Sequence, residues 1–212
     1  MNEAGGDRRS IEIGGLTIAY DDRVLEPRPW TAGQSAWAAE LLASLPLGPV
    51  LELCAGAGHI GLVAVLEHDR RLVQVDVDAV ACDFARLNAE SAGLADRVDV
   101  RCGPMEDVVL PEERFPLVIA DPPWVSTNEV REYPGDPRVA IDGGPDGLDV
   151  AHRCVEVASR VLTPMGVCLL QLGTVEQVEA LATYVQARDE LHLAVGEGRE
   201  FDRGVVVRLD RA

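Results

Sequence analysis

The period of hydrophobic and polar positions changes along this chain, and the changes divide it. Residues 11–20 alternate apolar and polar around Gly14-Gly15, which predicts a small β-hairpin. From Gln34, apolar side chains recur at helical spacing (Trp37, Leu41, Leu42, Leu45) until Pro46 and Pro49 end the helix. Beyond Val50, short apolar runs alternate with longer amphipathic stretches. Strands are predicted near 50–54, 72–76, 98–102, 117–121 and 167–173, and helices near 59–68, 79–92, 147–163 and 175–188. The tail breaks the rhythm. Residues 191–195 and 205–209 both read as strands, and too few residues separate them for a parallel crossover, which takes a dozen or more. The expected fold class is α/β: a doubly wound sheet of parallel strands covered by helices and finished by an antiparallel hairpin. Residues 1–10, polar and Gly-containing, are expected to form a flexible tail. Residues 11–212 then make one domain, with the hairpin, a proline-bearing segment and a helix at 11–49 and the core at 50–212.

Composition narrows the function classes. The 212 residues carry a formal charge of −17, and every one of the 19 basic residues is Arg, an absence of Lys that reads as coding bias. Such a charge opposes a nonspecific grip on phosphate backbones, so nucleic acid is a disfavoured partner. The five cysteines, Cys54, Cys82, Cys102, Cys154 and Cys168, are widely spaced without metal-ligand spacing, and are expected as reduced core residues with no metal site. No signal peptide and no run of about 18 apolar residues is visible, so a cytoplasmic protein without a membrane span is expected.

Three stretches could carry chemistry. The first strand runs into Glu52-Leu53-Cys54-Ala55-Gly56-Ala57-Gly58-His59, a Gly-rich turn opening a helix, which lets a ligand approach the backbone. The second strand ends at Asp76-Val77-Asp78, with Asp76 at its tip where ribose hydroxyls are held and Asp78 where a helix cap belongs. Together they favour an adenosine-containing ligand. The fourth strand runs into Asp121-Pro122-Pro123-Trp124, where the prolines end the ladder and leave a carboxylate, two stiffened carbonyls and an aromatic face at the strand's carboxyl end. That set suits a planar NH-bearing group. The stretch Val24-Leu25-Glu26-Pro27-Arg28-Pro29-Trp30-Thr31 is held extended by its prolines and reads equally as a lid or as a rigid linker.

This set resembles the class I S-adenosylmethionine-dependent methyltransferases, which implies a Rossmann-like sheet of seven strands ending in a reversed hairpin. More narrowly, residues 23–31 are similar to the "VLIPRPET" stretch of the HemK/PrmC-type protein glutamine N5-methyltransferases and their N6-adenine relatives, the "methyltransferase small" group. Residues 140–149 (Ala-Ile-Asp-Gly-Gly-Pro-Asp-Gly-Leu-Asp) are similar to their "ALxGGxDGLD" segment, and Asn88-Ala89 and residues 169–173 also fit. The resemblance covers roughly residues 11–209 and includes no N-terminal helical recognition domain, so a catalytic-domain-only version is expected. It departs from the pattern at Cys54 (for Gly), Trp30 (for an acid), Pro104 (where an adenine-contacting acid is common) and Asp121 with Trp124 (for Asn and Tyr).

The resemblance implies S-adenosylmethionine as cofactor, held by Glu52, Cys54, Ala55, Gly56, Gly58, Asp76, Val77, Met105 and Asp121. It implies a catalytic set of Asp121, Pro122 and Trp124, with the Asp121 side chain and the Pro122 carbonyl accepting from the substrate NH2. Trp30, Thr31, Pro123 and Trp124 would line the substrate mouth, and residues 125–145 would cover it. The expected reaction is N-methylation of a protein glutamine or of a small amino- or amide-bearing molecule. The alternatives are N6-adenine or N2-guanine methylation of RNA or DNA, and a non-catalytic subunit that keeps the cofactor fold.

Overall fold

The structure, a computed structural model, describes residues 6–212. Strand β1 (Arg9–Ile13) turns through Gly14 and Gly15, both at positive φ, into β2 (Leu16–Tyr20). Arg9 and Ser10 thus belong to the hairpin rather than to a tail, because Arg9 pairs with Tyr20 and Ser10 with Ala19; residues 1–5 lie outside the described residues. A single 3-10 turn, Pro29–Thr31, leads into α1 (Ala32–Leu42).

The core then runs β3 (Val50–Leu53), α2 (His59–Val65), β4 (Leu72–Asp76), α3 (Ala79–Ser91), β5 (Val98–Cys102), α4 (Met105–Val108) and β6 (Phe115–Ala120). It continues through α5 (Arg138–Ile141), α6 (Asp149–Val161), β7 (Leu162–Leu172), α7 (Val175–Gln186), β8 (Leu193–Glu200) and β9 (Val205–Arg211). The seven-stranded sheet has the order β5-β4-β3-β6-β7-β9-β8. Its first five strands are parallel, and β9 lies antiparallel between β7 and β8. The reversed hairpin expected from the tail is present. The expected helix at 147–163 is shorter, because Gly147 sits at φ +77 and Leu162 is already extended.

Both sheet faces are covered, which is why the strands read as apolar runs. Along β3 successive side chains alternate faces: Leu51 and Leu53 pack with Cys154, Val155 and Ala158 of α6, and Val50 packs on the other side with Trp37 of α1, Leu62 of α2 and Phe84 of α3. The hairpin docks through Asn88 of α3, which is buried. Its Nδ2 donates to the Ala19 carbonyl (3.0 Å) and the Ala57 carbonyl (2.9 Å), and its Oδ1 accepts from the Ala19 amide (2.8 Å). One side chain therefore ties the N-terminal hairpin to the Gly-rich loop. The cysteines are free, but not all are core residues: Cys102 is exposed at the end of the edge strand β5 and Cys54 is half-buried. Strand order reverses at β3, whose neighbours are β4 on one side and β6 on the other. The crevice beyond the carboxyl ends of β3 and β6 is thus the topological switch point where ligands of open α/β sheets sit.

Candidate functional site

Two cavities of about 500 Å³ and about 510 Å³ open at that crevice. Both are lined by Asp121, and Leu25, Arg28, Thr31, Pro123 and Ala140 also border both. Asp121 follows β6 directly. β6 is buried over its whole length, and Pro122 then ends the ladder, so the carboxylate is delivered at the sheet edge. The Asp121 side chain and the Pro122 carbonyl have no hydrogen-bond partner among the described residues. Burial pushes the Asp121 carboxyl up to about 7.

The turn is braced from below by the Gly-rich segment that follows it. The Val125 amide donates to the Ile141 carbonyl (3.0 Å), the Gly143 amide to the Val125 carbonyl (2.9 Å) and the Thr127 amide to the Gly144 carbonyl (2.8 Å). Gly143 and Gly147 permit this approach: a Cβ at Gly143 would lie 2.5 Å from the Pro123 oxygen, and one at Gly147 2.2 Å from the Trp124 oxygen. Gln177 of α7 donates to that Trp124 oxygen (2.9 Å), while the Trp124 ring lies over Gly173, where a Cβ would come within 2.3 Å of it. Trp124 is half-buried, one face packed and the remainder lining the first cavity.

The second cavity lies over β3 and β4. Cys54, Ala55, Gly56, Asp76, Val77 and Met105, all among the residues the resemblance implies for the cofactor, line it. Asp76 accepts from the Gly56 amide (Oδ2, 2.8 Å) and the Asp78 amide (Oδ1, 2.9 Å), so the same carboxylate shapes the loop and faces the cavity. Burial raises its pKa, opposed by those amides. Asp78 caps α3 by accepting from the Val80 amide. Val77, 58% exposed, and Met105 supply apolar walls suited to a flat base. A side chain stands where a glycine would be freer: Cys54 sits at φ +57, in the left-handed region.

Two expected cofactor contacts lie off the cavity wall. Glu52 is 1% exposed beneath the loop, where its carboxylate accepts from the Gly61 amide (2.9 Å) and from Gln74 Nε2 (2.6 Å). Its side chain points to the α2 face of the sheet, and Gly61 leaves it room, since a Cβ there would lie 2.3 Å from Oε2. Burial pushes it up to about 7. Gly58, the N-cap of α2 at φ +80, lies behind the loop against Gln74. Glu52 and Gly58 meet at Gln74, whose Nε2 also donates to the Gly58 carbonyl (2.7 Å).

Trp30, Thr31, Pro123 and Trp124 all line the first cavity, and so do Tyr133 and Asp136 from the long loop that follows. The proline-bearing segment forms part of the wall of both cavities. Arg28 Nη2 donates to both Asp136 oxygens (2.7 Å each), and the Thr31 hydroxyl donates to the Arg28 carbonyl (2.7 Å) and stands 2.8 Å from His59 Nε2. Burial lowers His59 to about 4, so its ring is neutral. Sequence reasoning missed Arg203, which reaches the first cavity from the β8–β9 turn, and Arg153 and Val139, which border the second. No local pattern marks any of the three.

A Gly-rich loop and strand-tip acid on one side of a shared aspartate, and the Pro-Pro-Trp turn on the other, define a class I S-adenosylmethionine-dependent methyltransferase domain. Residues 34–134 match the model of the methyltransferase small domain family, in line with the resemblance to HemK/PrmC-type enzymes. It is 31% identical over 178 residues to the ribosomal protein uL3 glutamine methyltransferase of Burkholderia pseudomallei, a match covering 78% of this chain and 58% of that protein. It is 31% identical over 202 residues to the release factor glutamine methyltransferase of Mycobacterium tuberculosis, covering 86% of this chain and 64% of that one. The chain thus spans about three fifths of the length of these curated relatives. Among solved structures, the hMettl16 catalytic domain in complex with MAT2A 3'UTR hairpin 1 matches with a TM-score of 0.74 at 15% identity, over 93% of this chain and 75% of that chain, a likeness of fold. Among the described residues, no helix is long and apolar enough to cross a membrane and no cluster of ligating side chains could hold a metal ion.

Proposed function

We propose that the protein N-methylates a protein glutamine or a small amino- or amide-bearing molecule. The observation that carries this reading is the meeting of two cavities at one carboxylate without a protein partner. The residues of the second cavity fit S-adenosylmethionine, which would supply an electrophilic methyl group. Asp76 has lone pairs left for ribose hydroxyls, Val77 and Met105 flank a planar base, and the open side of Gly56 admits close approach of a ligand to the backbone. In the first cavity, the Asp121 carboxylate and the Pro122 carbonyl accept hydrogen bonds from an acceptor NH2. An amide nitrogen delocalises its lone pair into the carbonyl, and holding its two N–H groups on fixed acceptors turns that pair toward the methyl. Charge on Asp121 offsets the positive charge that builds on the nitrogen as it is methylated. Trp124 and Trp30 bound the acceptor by their aromatic faces.

Nucleobase amines share the planar NH2 geometry, and Asp-Pro-Pro-Trp accommodates them, but a net charge of −17 opposes a polyanion. A noncatalytic role fits poorly with a carboxylate held without a partner at the junction. The test is transfer of labelled methyl from S-adenosylmethionine into lysate fractions, followed by mass spectrometry of the labelled molecule. A label on a protein glutamine or on a small amide or amine supports the reading. Label confined to nucleic acid, or binding of the cofactor with no transfer to any fraction, overturns it.

A further inference from the structure

The acceptor cavity holds three charged side chains besides Asp121, and two of them neutralise each other: Arg28 is forked onto Asp136 at 2.7 Å to each oxygen. The third, Arg203, has no ion pair and no side-chain hydrogen bond among the described residues; its contact is the face of Trp30, 5.8 Å from its guanidinium carbon to the ring centroid. Arg28 lies 5.6 Å from the same ring, so Trp30 joins a neutralised cation to an uncompensated one. Of the charged groups that line this cavity, Arg203 is the cation left without an acid among the described residues.

The turn that presents Arg203 is itself fixed. Gln171, 2% exposed at the end of β7, donates Nε2 to the Leu172 carbonyl (3.0 Å) and to the Arg203 carbonyl (3.4 Å). Gly204 sits at φ +83, where a Cβ would lie 2.2 Å from Gln171 Nε2. The Phe201 amide donates to the Gly204 carbonyl (3.1 Å), and the Phe201 ring packs on Gly33 at the start of α1, where a Cβ would come within 2.3 Å of it. The hairpin end is thereby seated beside the wall that carries Trp30.

We propose that Arg203 recognises a carboxylate on the methyl acceptor, so that the substrate class is an amide or amine that also bears a carboxylate, free or on an acidic side chain. This rests on the N-methyltransferase reading above. A planar guanidinium beside an aromatic face matches a carboxylate in two parallel hydrogen bonds. One unpaired cation suits a monoanion, whereas a phosphate backbone would meet a strongly acidic surface. Asp121 at the inner end and Arg203 at the wall then orient the acceptor, with the reacting nitrogen on the first and the anion on the second.

The test compares N-acetyl-L-glutamine with N-acetyl-L-glutaminamide, which share the side-chain amide and differ in the carboxylate, by calorimetry on the full chain saturated with S-adenosylhomocysteine. The carboxylate probe is expected to bind roughly tenfold tighter at low salt, with the advantage shrinking as salt rises. Arg203→Gln should erase the advantage and Arg203→Lys retain part of it, with S-adenosylhomocysteine affinity unchanged in both as the check on folding. Equal binding of the two probes, binding of neither, or an advantage that persists in Arg203→Gln overturns the proposal. So does a labelled acceptor that carries no carboxylate, although methyl transfer itself would then stand. Absence of transfer to any acceptor is the separate failure of the underlying reading.

Discussion

Replacing Asp121 should separate chemistry from both binding and stability. The carboxylate lies at the junction of the two cavities with no protein hydrogen bond, and burial holds its pKa at about 7 against an ordinary value of 3.8. Between those values the folded protein keeps a proton that the unfolded chain has released, so stability falls as pH rises through that window and levels off above about 7. At 1.36 kcal/mol per tenfold in proton affinity, the ceiling on this cost is about 4 kcal/mol; water in two open cavities reduces it to about 1–3 kcal/mol. Asp121→Asn removes the ionisation and should raise the melting temperature at pH 8 by about 3–8 °C while changing it little near pH 4. Methyl transfer moves the other way. Losing the charged acceptor from the transition state should cost about 3–4 kcal/mol in Asp121→Ala, a fall of about 10²–10³ in rate. Cofactor affinity should stay within about threefold. In the unmodified protein kcat/KM should rise with pH through about 7 as the carboxylate ionises, and Asp121→Asn should lose that limb. Melting scans, isothermal titration with S-adenosylmethionine and labelled-methyl kinetics check the three parts. Equal loss of cofactor binding and rate in Asp121→Ala, or an acid limb that survives in Asp121→Asn, would refute the assignment.

Asp76→Ala should weaken S-adenosylmethionine by about 10- to 100-fold, because it removes the ribose acceptor and the anchor of the Gly56 amide at once; an unchanged dissociation constant would place the ribose contact elsewhere. Asn88→Ala leaves the Ala19 amide and the Ala19 and Ala57 carbonyls without their partner, and should lower stability by about 2–4 kcal/mol in urea melts; a loss under about 0.5 kcal/mol would show that the hairpin docks by apolar packing alone. Gly147→Ala combines φ +77 with a Cβ 2.2 Å from the Trp124 oxygen, and should lower methyl transfer at least tenfold while S-adenosylmethionine still binds; full activity would mean that the segment does not brace the turn.

Much of this was legible in the residues, for reasons that also mark where legibility stops. Parallel strands buried on both faces must be apolar runs, so β3, β4, β6 and β7 announced themselves, and the short spacing between the last two strands forced their antiparallel pairing. Asp121 to Trp124 and Asp76 were readable because each is a break in a strand, where the backbone leaves the sheet and its next side chain meets the cavity. The one-turn helices α4 and α5 were not readable, since four residues carry no period. Glu52 falls at the expected place in the loop motif, but the motif does not display its sheet face: alternation along β3 turns its side chain toward α2 and Gly61. Arg203 was invisible for the opposite reason. Nothing within several residues of it marks a site, and its place is set by Gln171 at the end of β7 and by Gly33 at the start of α1, contacts that exist only once the hairpin has closed on the sheet. The cofactor side, built from consecutive strand ends, is therefore encoded locally. The acceptor side is assembled from the proline-bearing segment, the loop after Trp124 and the final hairpin, so its specificity can change by substitutions that leave every motif of the family in place.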